Sequence, residues 1–422
     1  MGVDVEEDLK RKMVEINIAA GRTAQSPQTG YIHLHYESDE RHDTIPLLEN
    51  FCFCLALLRS RLTDHILEGE ALLEKLLAFE VDGNFPLYLH EFPQCKDRSL
   101  GLSLLPIFHW ILADFRIALG EGLTLHIEAL IGRILSHGYK MHAQRPLSKS
   151  AEFRLKSYVE PNDLPIWTPS TPEEWADALI STQIAPSNDD TLLEEALQKW
   201  HPQLCTYIGP QQYDRGEPKV TLFDLILGHS HGLYSRRSLE DRRVHLLASL
   251  VHPFEKKNTA LVESPFHAIS ASSHPYALYW GTPDKLHSFL LAPYKSQVSI
   301  EKSSHAIEFT ITLPPQAPQP GEDAFELAFF INIDPSHTIW VCGAKATTFR
   351  LGDLIELRSL SLHLHLELSL EMGDGRFFGH ISRANRPTQK GKNLKYETYD
   401  WQIALRTIRR TEDCRLKVRL SI

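Results

Sequence analysis

The segment 83–93, called here the 83–93 loop, carries the densest set of side chains able to do chemistry. Asn84, Tyr88, His90 and Glu91 bring an amide, a phenol, an imidazole and a carboxylate within eight residues. A loop that follows a helix is a good platform for a site. His90 could act as acid or base near neutral pH, and Asn84 could donate hydrogen bonds to a developing anion. The same residues also suit an aromatic, proline-rich plug between helices.

A second candidate segment contains Tyr234 followed closely by Arg236 and Arg237. Two neighbouring cations would lower the pKa of the Tyr234 phenol, which is the state that a phenolate base needs. The arginine pair could also grip an anionic substrate. The alternative is a solvated basic helix end with ion pairs to Glu240 and Asp241.

Two groups of histidines raise the question of a metal site. His229 and His231 would be about 200° apart on a helix, so they do not easily share an ion. His363, His365 and Glu367 do share one face of a predicted strand, which makes a metal geometrically possible. A polar outer face explains that spacing equally well, so we predict no metal and no cofactor.

Aromatic side chains near the two ends of the C-terminal part could stack on a sugar ring. Trp280, preceded by Tyr276 and Tyr279, is the first group, and Tyr399 with Trp401 is the second. Trp280 is the substrate-binding candidate among them. Aromatic residues in strands are more often part of a core, which is the alternative.

The elements that must position these residues change type near residue 260. Before it, apolar residues recur at helical spacing, whereas Leu362 to Leu370 alternates leucine with His, His, Glu and Ser. That period of two places five leucines on one face of a strand. We therefore predict a multidomain chain that is first α and then β.

The predicted domains are a short helix with an irregular arm (1–45), a helical-hairpin domain that forms an incomplete toroid (46–260), and an antiparallel β-sandwich (261–422).

Thr171 with Glu174 predicts a capping box at one helix start, and Gly373-Asp374-Gly375 predicts a hairpin turn. The predicted helix pairs are Leu47 to Leu62 with Ile66 to Phe79, Leu102 to Leu119 with Leu123 to Leu135, Pro172 to Ser181 with Thr191 to Trp200, and Leu222 to Tyr234 with Leu239 to Val251.

The net charge of the chain limits the classes of partner that it can bind. At −10, it argues against a general nucleic-acid binder and against binding to anionic membranes. No stretch reaches the ~18 consecutive apolar residues that span a bilayer, and the acidic start lacks a signal core.

Six cysteines without a CxxC pattern favour free, buried thiols. A cytoplasmic location is expected, and the oligomeric state is left open.

Helical hairpins followed by a large antiparallel β part resemble the layout of the (α/α)-toroid polysaccharide lyases, the heparinase II/III-like and chondroitin-lyase-like groups. The resemblance covers about residues 45 to 422 and concerns architecture. It implies β-elimination on a uronate-containing polysaccharide. Tyr234, Tyr88 or His90 would then be the base, and Asn84 with Arg236 would neutralise the carboxylate.

Two other functions remain open on the sequence. A non-catalytic protein of the same architecture would bind a glycan or another protein through its β part. A glycoside hydrolase would instead need paired carboxylates, for which Glu49 and Glu91 are the candidates. Both functions predict an oligosaccharide or polysaccharide as the ligand. The non-catalytic protein could instead bind another protein.

Overall fold

The structure is a computed structural model and describes most of the chain. Two compact units divide it: a helical unit, Met1–Leu197 with Lys219–Lys257, and a sheet unit, Gln198–Pro218 with Asn258–Ile422. The predicted order, helical and then antiparallel β, is confirmed. The described residues are 2–34, 43–160, 164–165, 167–184, 191–201, 206–207, 220–231, 242–252, 267–269, 277–282, 285–291, 297–303, 306–315, 327–331, 338–358, 363–383 and 401–421.

The helices lie mostly before residue 247, with 3-10 turns at Leu89–Glu91 and Ala248–Leu250. Those in the described part of the chain are α1 Gly2–Ala24, α2 Leu47–Arg59, α3 Thr63–Leu77, α4 Leu100–Gln144, α5 Lys149–Val159, α6 Pro172–Ile184, α7 Thr191–Gln198, α8 Leu222–His231 and α9 Arg242–Leu246.

The first predicted helix pair is confirmed, because α2 packs against α3. The Cys54 thiol donates a hydrogen bond to the Gly69 carbonyl oxygen at 3.1 Å. A Cβ added to Gly69 would lie 3.2 Å from the Leu58 side chain, so the absence of a side chain permits the close approach.

The second pair is also confirmed, because α4 folds back on itself at Gly120. Gly120 has φ 73° and ψ 171°, a conformation open essentially to glycine. Across the bend, the Arg116 guanidinium lies 2.6 Å from the Glu128 carboxylate. A Cβ on Gly138 would lie 3.0 Å from Leu102, although a straight helix would separate the two residues by about 54 Å at 1.5 Å per residue.

By length and composition alone, α4 is apolar enough to cross a membrane. Its most apolar window of 18 residues is 56% buried inside the protein. Core helices meet the same criterion, and the bend at Gly120 divides α4 into two shorter arms. The burial of α4 is therefore explained by packing within the helical unit.

Other helices differ from the predicted layout. The segment 138–170, which lies between the second and third predicted helix pairs, contains the end of α4 and all of α5. α6 packs against α5 and α8. The predicted layout paired α6 only with the helix that follows it in the chain. Its start agrees with the prediction, since the Thr171 hydroxyl accepts a hydrogen bond from the Glu174 backbone N–H at 3.2 Å.

The sheet unit contains, in the described residues, a two-stranded ribbon of β1 and β2 and two seven-stranded sheets. The first sheet has the order β10-β9-β12-β13-β16-β7-β6 and the second β11-β14-β15-β8-β5-β4-β3. The strands are β1 Trp200–His201, β2 Thr206–Tyr207, β3 His267–Ile269, β4 Ala277–Thr282, β5 Lys285–Leu291, β6 Gln297–Lys302, β7 Ala306–Leu313, β8 Leu327–Ile331, β9 Ile339–Val341, β10 Ala344–Lys345, β11 Thr348–Phe349, β12 Leu354–Arg358, β13 His363–Met372, β14 Arg376–Arg383, β15 Trp401–Arg409 and β16 Cys414–Ser421.

Residues from both seven-stranded sheets contribute to a single hydrophobic core. On β13, Leu364, Leu366 and Leu368 are buried while His363 and Glu367 are exposed. The predicted alternation is therefore confirmed over the described residues of this strand.

The turn at Gly373-Asp374-Gly375 exists, but its predicted role as a hairpin is wrong. β13 belongs to the first sheet and β14 to the second, so the turn carries the chain from one sheet to the other. Gly373 has φ 102°, and a Cβ there would lie 2.6 Å from the Asp413 carbonyl oxygen. Glycine is needed for the bend itself, and local turn chemistry does not define which strand pairs with which.

Candidate functional site

The 83–93 loop is fixed to the beginning of α2 by backbone hydrogen bonds. The Leu47 N–H donates to the Leu87 carbonyl oxygen at 3.1 Å, and the Leu89 N–H donates to the Ile45 carbonyl oxygen at 2.9 Å. These bonds hold the middle of the loop in one conformation, as a preorganised site requires.

Asn84 is buried and its amide is already used by the protein. Its Nδ2 donates to the Asp97 carbonyl oxygen at 2.7 Å, and its Oδ1 accepts from the Gly101 N–H at 2.8 Å. Gly101 lies in the first turn of α4, whose N–H groups need partners from outside the helix. Asn84 thus ties the loop to α4, and its role at a substrate anion stays a prediction.

Tyr88 and His90 are brought together at the surface of the loop. Their rings are parallel, with centroids 5.6 Å apart and an interplanar angle of 5°. Tyr88 is half-buried and His90 is exposed. The predicted phenol and imidazole therefore form one stacked pair that solvent can reach.

The two carboxylates proposed for glycoside hydrolysis each have their own partners. Glu91 accepts from the Leu87 N–H at 3.2 Å and lies 3.8 Å from the Lys96 ammonium. Glu49, buried in the first turn of α2, lies 3.3 Å from the Arg243 guanidinium. Burial raises the pKa of Glu49, and Arg243 opposes that shift. These contacts explain both side chains without a substrate.

Several predicted site residues lie outside the description. Tyr234, Arg236 and Arg237 are outside the described residues. Trp280 lies on β4 opposite His287 of β5, but its side chain is also outside the description. Their proposed roles stay predictions.

His363 and His365 contact each other on the outer face of the first sheet, with ring centroids 5.4 Å apart. Glu367 pairs in register with Arg419 of β16. Within the described ranges, no group of three or more His, Cys, Asp or Glu residues is arranged to hold a metal ion.

A cluster around Arg59 was not predicted from the sequence. The Arg59 Nη1 donates to the Ser249 carbonyl oxygen at 2.5 Å, and the guanidinium carbon lies 4.7 Å from the centre of the Trp110 ring. Trp110 also stacks on His252, at 5.9 Å between centroids. These residues come from three separate parts of the chain, so no local pattern joins them.

Burial shifts the pKa values of two basic groups near Asp114. Burial lowers the pKa of Arg59 to about 10, and the Asp114 carboxylate only partly opposes this. Burial also lowers the pKa of His109, the residue before Trp110, against the same Asp114. Asp114 therefore acts on two basic groups, the Arg59 guanidinium and the His109 imidazole.

Five described cysteines are free. Cys52, Cys54 and Cys414 are buried, as predicted, whereas Cys342 is exposed and Cys95 is intermediate. Burial raises the pKa of the Cys54 thiol, so it is held in its unreactive protonated form.

The outer face of the first sheet presents an exposed aromatic residue. Trp340 on β9 is 37% exposed, and the Lys345 ammonium lies 5.7 Å from its ring centre. Trp340 pairs in register with Glu356 of β12. The alternation of Ile339, Trp340 and Val341 is the sequence signal that places this indole outward.

The chain matches no protein-family model, and no curated protein is significantly similar to it. The candidate sites are therefore distinguished by their own chemistry. The 83–93 loop offers proton transfer, the Arg59 cluster offers a cation, and the face around Trp340 offers a stacking surface.

Proposed function

We propose that this chain is a carbohydrate-active protein that cleaves a uronate-containing polysaccharide by β-elimination. The observation that carries the proposal is the parallel Tyr88–His90 pair on a loop fixed by backbone hydrogen bonds. A phenol and an imidazole in contact supply the acid and base functions that elimination needs.

In the proposed reaction a base removes the proton alpha to the uronate carboxylate. The electrons of the broken C–H bond form the new carbon–carbon double bond as the glycosidic C–O bond breaks. The leaving oxygen then takes a proton from an acid. Tyr88 and His90 divide these two roles, with Tyr234 as a further candidate base and Arg236 or Arg237 as the partner of the carboxylate.

The architecture supports this proposal. Helical hairpins precede two antiparallel sheets that share a core, which fits a toroid-like helical domain followed by a β-sandwich. The free thiols of the described cysteines support a reducing compartment. We include a cytoplasmic location in the proposal on that basis.

The test is an ultraviolet absorbance assay for unsaturated uronate product on a panel of uronate-containing polysaccharides. We expect product from the wild type, and losses of at least about 100-fold in rate from Tyr88→Phe and His90→Ala, because acid–base groups contribute about 10²–10⁴-fold. Tyr234→Phe reports on the alternative base. His126→Ala, which removes an exposed imidazole from α4, is the matched control and should keep full activity.

Absence of product on every substrate, with a folded protein, would contradict elimination. Full activity of both loop variants would move the chemistry away from the 83–93 loop. Either result would leave the second candidate function to be tested by itself.

The second candidate is a non-catalytic glycan-binding protein that uses its sheet unit, and the exposed Trp340 favours it. A partly exposed indole beside polar side chains is a suitable surface for a sugar ring. On a glycan array, Trp340→Ala should abolish binding, whereas Phe378→Ala, which removes an exposed aromatic from the other sheet, should not. Equal binding by both variants would exclude Trp340 as the contact.

A further inference from the structure

Arg59 is a half-buried arginine of the helical unit, and Asp114 acts on it electrostatically without an ion pair between them. The guanidinium groups of Arg22, Arg133, Arg154 and Arg243 each lie within ion-pair distance of a carboxylate. Among the residues that the structure describes, Arg59 has no such carboxylate, and its hydrogen bond goes to a backbone carbonyl. Buried charges are normally paired, so this cation calls for an explanation.

We propose that Arg59 and Trp110 form a binding site for a carboxylate group. A guanidinium presents five N–H donors in a planar fork that matches the two oxygens of a carboxylate. One Nη1–H is used by Ser249, and the Trp110 ring covers one face of the fork. The other N–H groups are those that a carboxylate would engage.

The charge balance favours a single negative charge on the ligand. The Asp114 carboxylate acts electrostatically on Arg59 and would repel a dianion such as phosphate more strongly than a monoanion. The partial burial of Arg59 strengthens the attraction, because an ion pair gains more where water is partly excluded. This site stands apart from the proposed function and does not depend on it.

Arg59 could instead serve only to tie the end of α2 to the Ala248–Leu250 turn through Ser249. That role uses one N–H group and does not require a ligand. The two explanations differ in whether the protein binds a carboxylate in solution and in whether that binding needs the guanidinium.

The experiment is saturation-transfer NMR on the full chain, with sodium acetate as the probe and chloride used to keep ionic strength constant. We expect transfer to the acetate methyl group from the wild type. Arg59→Met, which keeps an unbranched aliphatic stem without the charge, should lose at least about 80% of the signal. Arg61→Gln removes an exposed arginine two positions away and should keep it.

Arg59→Lys is the second variant, since it keeps the charge but not the fork, and its signal should fall by at least half. Inorganic phosphate should displace acetate less effectively than an equal concentration of formate. Displacement by sodium polyglutamate would show that the carboxylate can belong to a larger molecule, and displacement by formate alone would restrict the site to small acids. Both results support a carboxylate site.

No transfer in the wild type, or equal transfer in folded Arg59→Met, would overturn the proposal. Preferential displacement by phosphate would overturn the assignment to a carboxylate. Circular dichroism establishes that each variant is folded. The elimination assay is a separate readout, so failure of one proposal does not imply failure of the other.

Discussion

The helical unit and the sheet unit bury polar groups to very different extents. Among the described residues, the sheet unit buries Gln402 and Arg410, whereas the helical unit buries a much larger set. That set is Asn17, Thr44, Glu49, Asn50, Asn84, Thr124, Arg154, Ser157, Ser181, Asp224, His245 and Ser249. The helical unit therefore depends on specific polar contacts in addition to apolar packing.

Many of these contacts join distant parts of the chain. The Asn17 amide donates to the Leu246 carbonyl oxygen at 2.6 Å, and the Ser249 hydroxyl donates to the Cys52 carbonyl oxygen at 2.7 Å. Each bond fixes one helix or turn to another. A helix can shift along its own axis while its apolar stripe stays buried, so directional bonds of this kind define which position is adopted.

The sheet unit has exposed ion pairs, both between neighbouring strands and along one strand. Glu308 of β7 lies 2.5 Å from the Lys417 ammonium of β16, and Glu356 of β12 lies 2.7 Å from the Arg358 guanidinium. Its interior is formed mainly by alternating apolar residues. The two units should consequently respond differently to loss of an apolar and of a polar side chain.

The largest effect is expected from Leu366→Ala in the core of the sheet unit. Leu366 is fully buried on β13, and truncation of a buried leucine costs about 3–4 kcal/mol of unfolding free energy. Urea unfolding followed by circular dichroism measures the loss. His365→Ala, on the opposite face of the same strand, should change stability by less than about 0.5 kcal/mol. Equal losses would contradict the assignment of the two faces.

Asn50→Ala should lower the free energy of unfolding by about 2–3 kcal/mol, because buried backbone groups would lose their hydrogen-bond partners. The Asn50 amide donates to the Ile32 and Pro46 carbonyl oxygens and accepts from the Ile32 N–H at 2.8 Å. Hydrogen exchange at the Ile32 amide should accelerate as well. Glu74→Ala on the exposed side of α3 is the control. An equal loss of stability in that variant would contradict a stabilising role for the hydrogen bonds of Asn50.

Asp177→Ala should lower the free energy of unfolding by about 2 kcal/mol. This is less than for a fully buried ion pair, because the Asp177 side chain is itself 38% exposed. The Arg154 side chain is only 4% exposed and would lose its carboxylate. Thermal unfolding of a double-mutant cycle measures the coupling. Adding Arg154→Met to Asp177→Ala should recover part of the loss, and strict additivity would argue that the pair does not interact.

The smallest effect is expected from Glu49→Gln, and it should depend on pH. Burial raises the pKa of Glu49 above its ordinary value of 4.5, so the folded state binds the proton more tightly than the unfolded state. Stability then falls as pH rises from the unfolded pKa through the folded pKa. Glu49→Gln avoids this loss and should be slightly more stable than the wild type at pH 7.

Below the unfolded pKa of Glu49 the advantage of Glu49→Gln should disappear, since both states of the wild type are then protonated. Denaturant midpoints of the two proteins at pH 4 and pH 7 provide the comparison. A destabilised Glu49→Gln at pH 7 would mean that the ion pair with Arg243 outweighs the cost of burying Glu49.

The sequence predicted those features that depend on neighbours along the chain. The alternation at Leu364, Leu366 and Leu368 defined a strand with one buried face, because side chains of a strand alternate between its two sides. The predicted break between Leu119 and Leu123 contains Gly120, where α4 bends, and Thr171 marked the start of α6. Glycine dihedral freedom and capping are local properties, so they can be seen in the order of residues.

Only the tertiary structure decided which residues meet from distant parts of the chain. The bend at Gly373 was predicted, yet its partner sheet was not, because turn residues determine a change of direction and not the pairing of the strands that follow. Asn84 was singled out from the sequence, but the contacts of its amide with Asp97 and Gly101 were not. Arg59, Trp110 and Ser249 gave no sign of one another in the sequence. Their contact exists because helix packing brings them together, and packing is a property of whole surfaces.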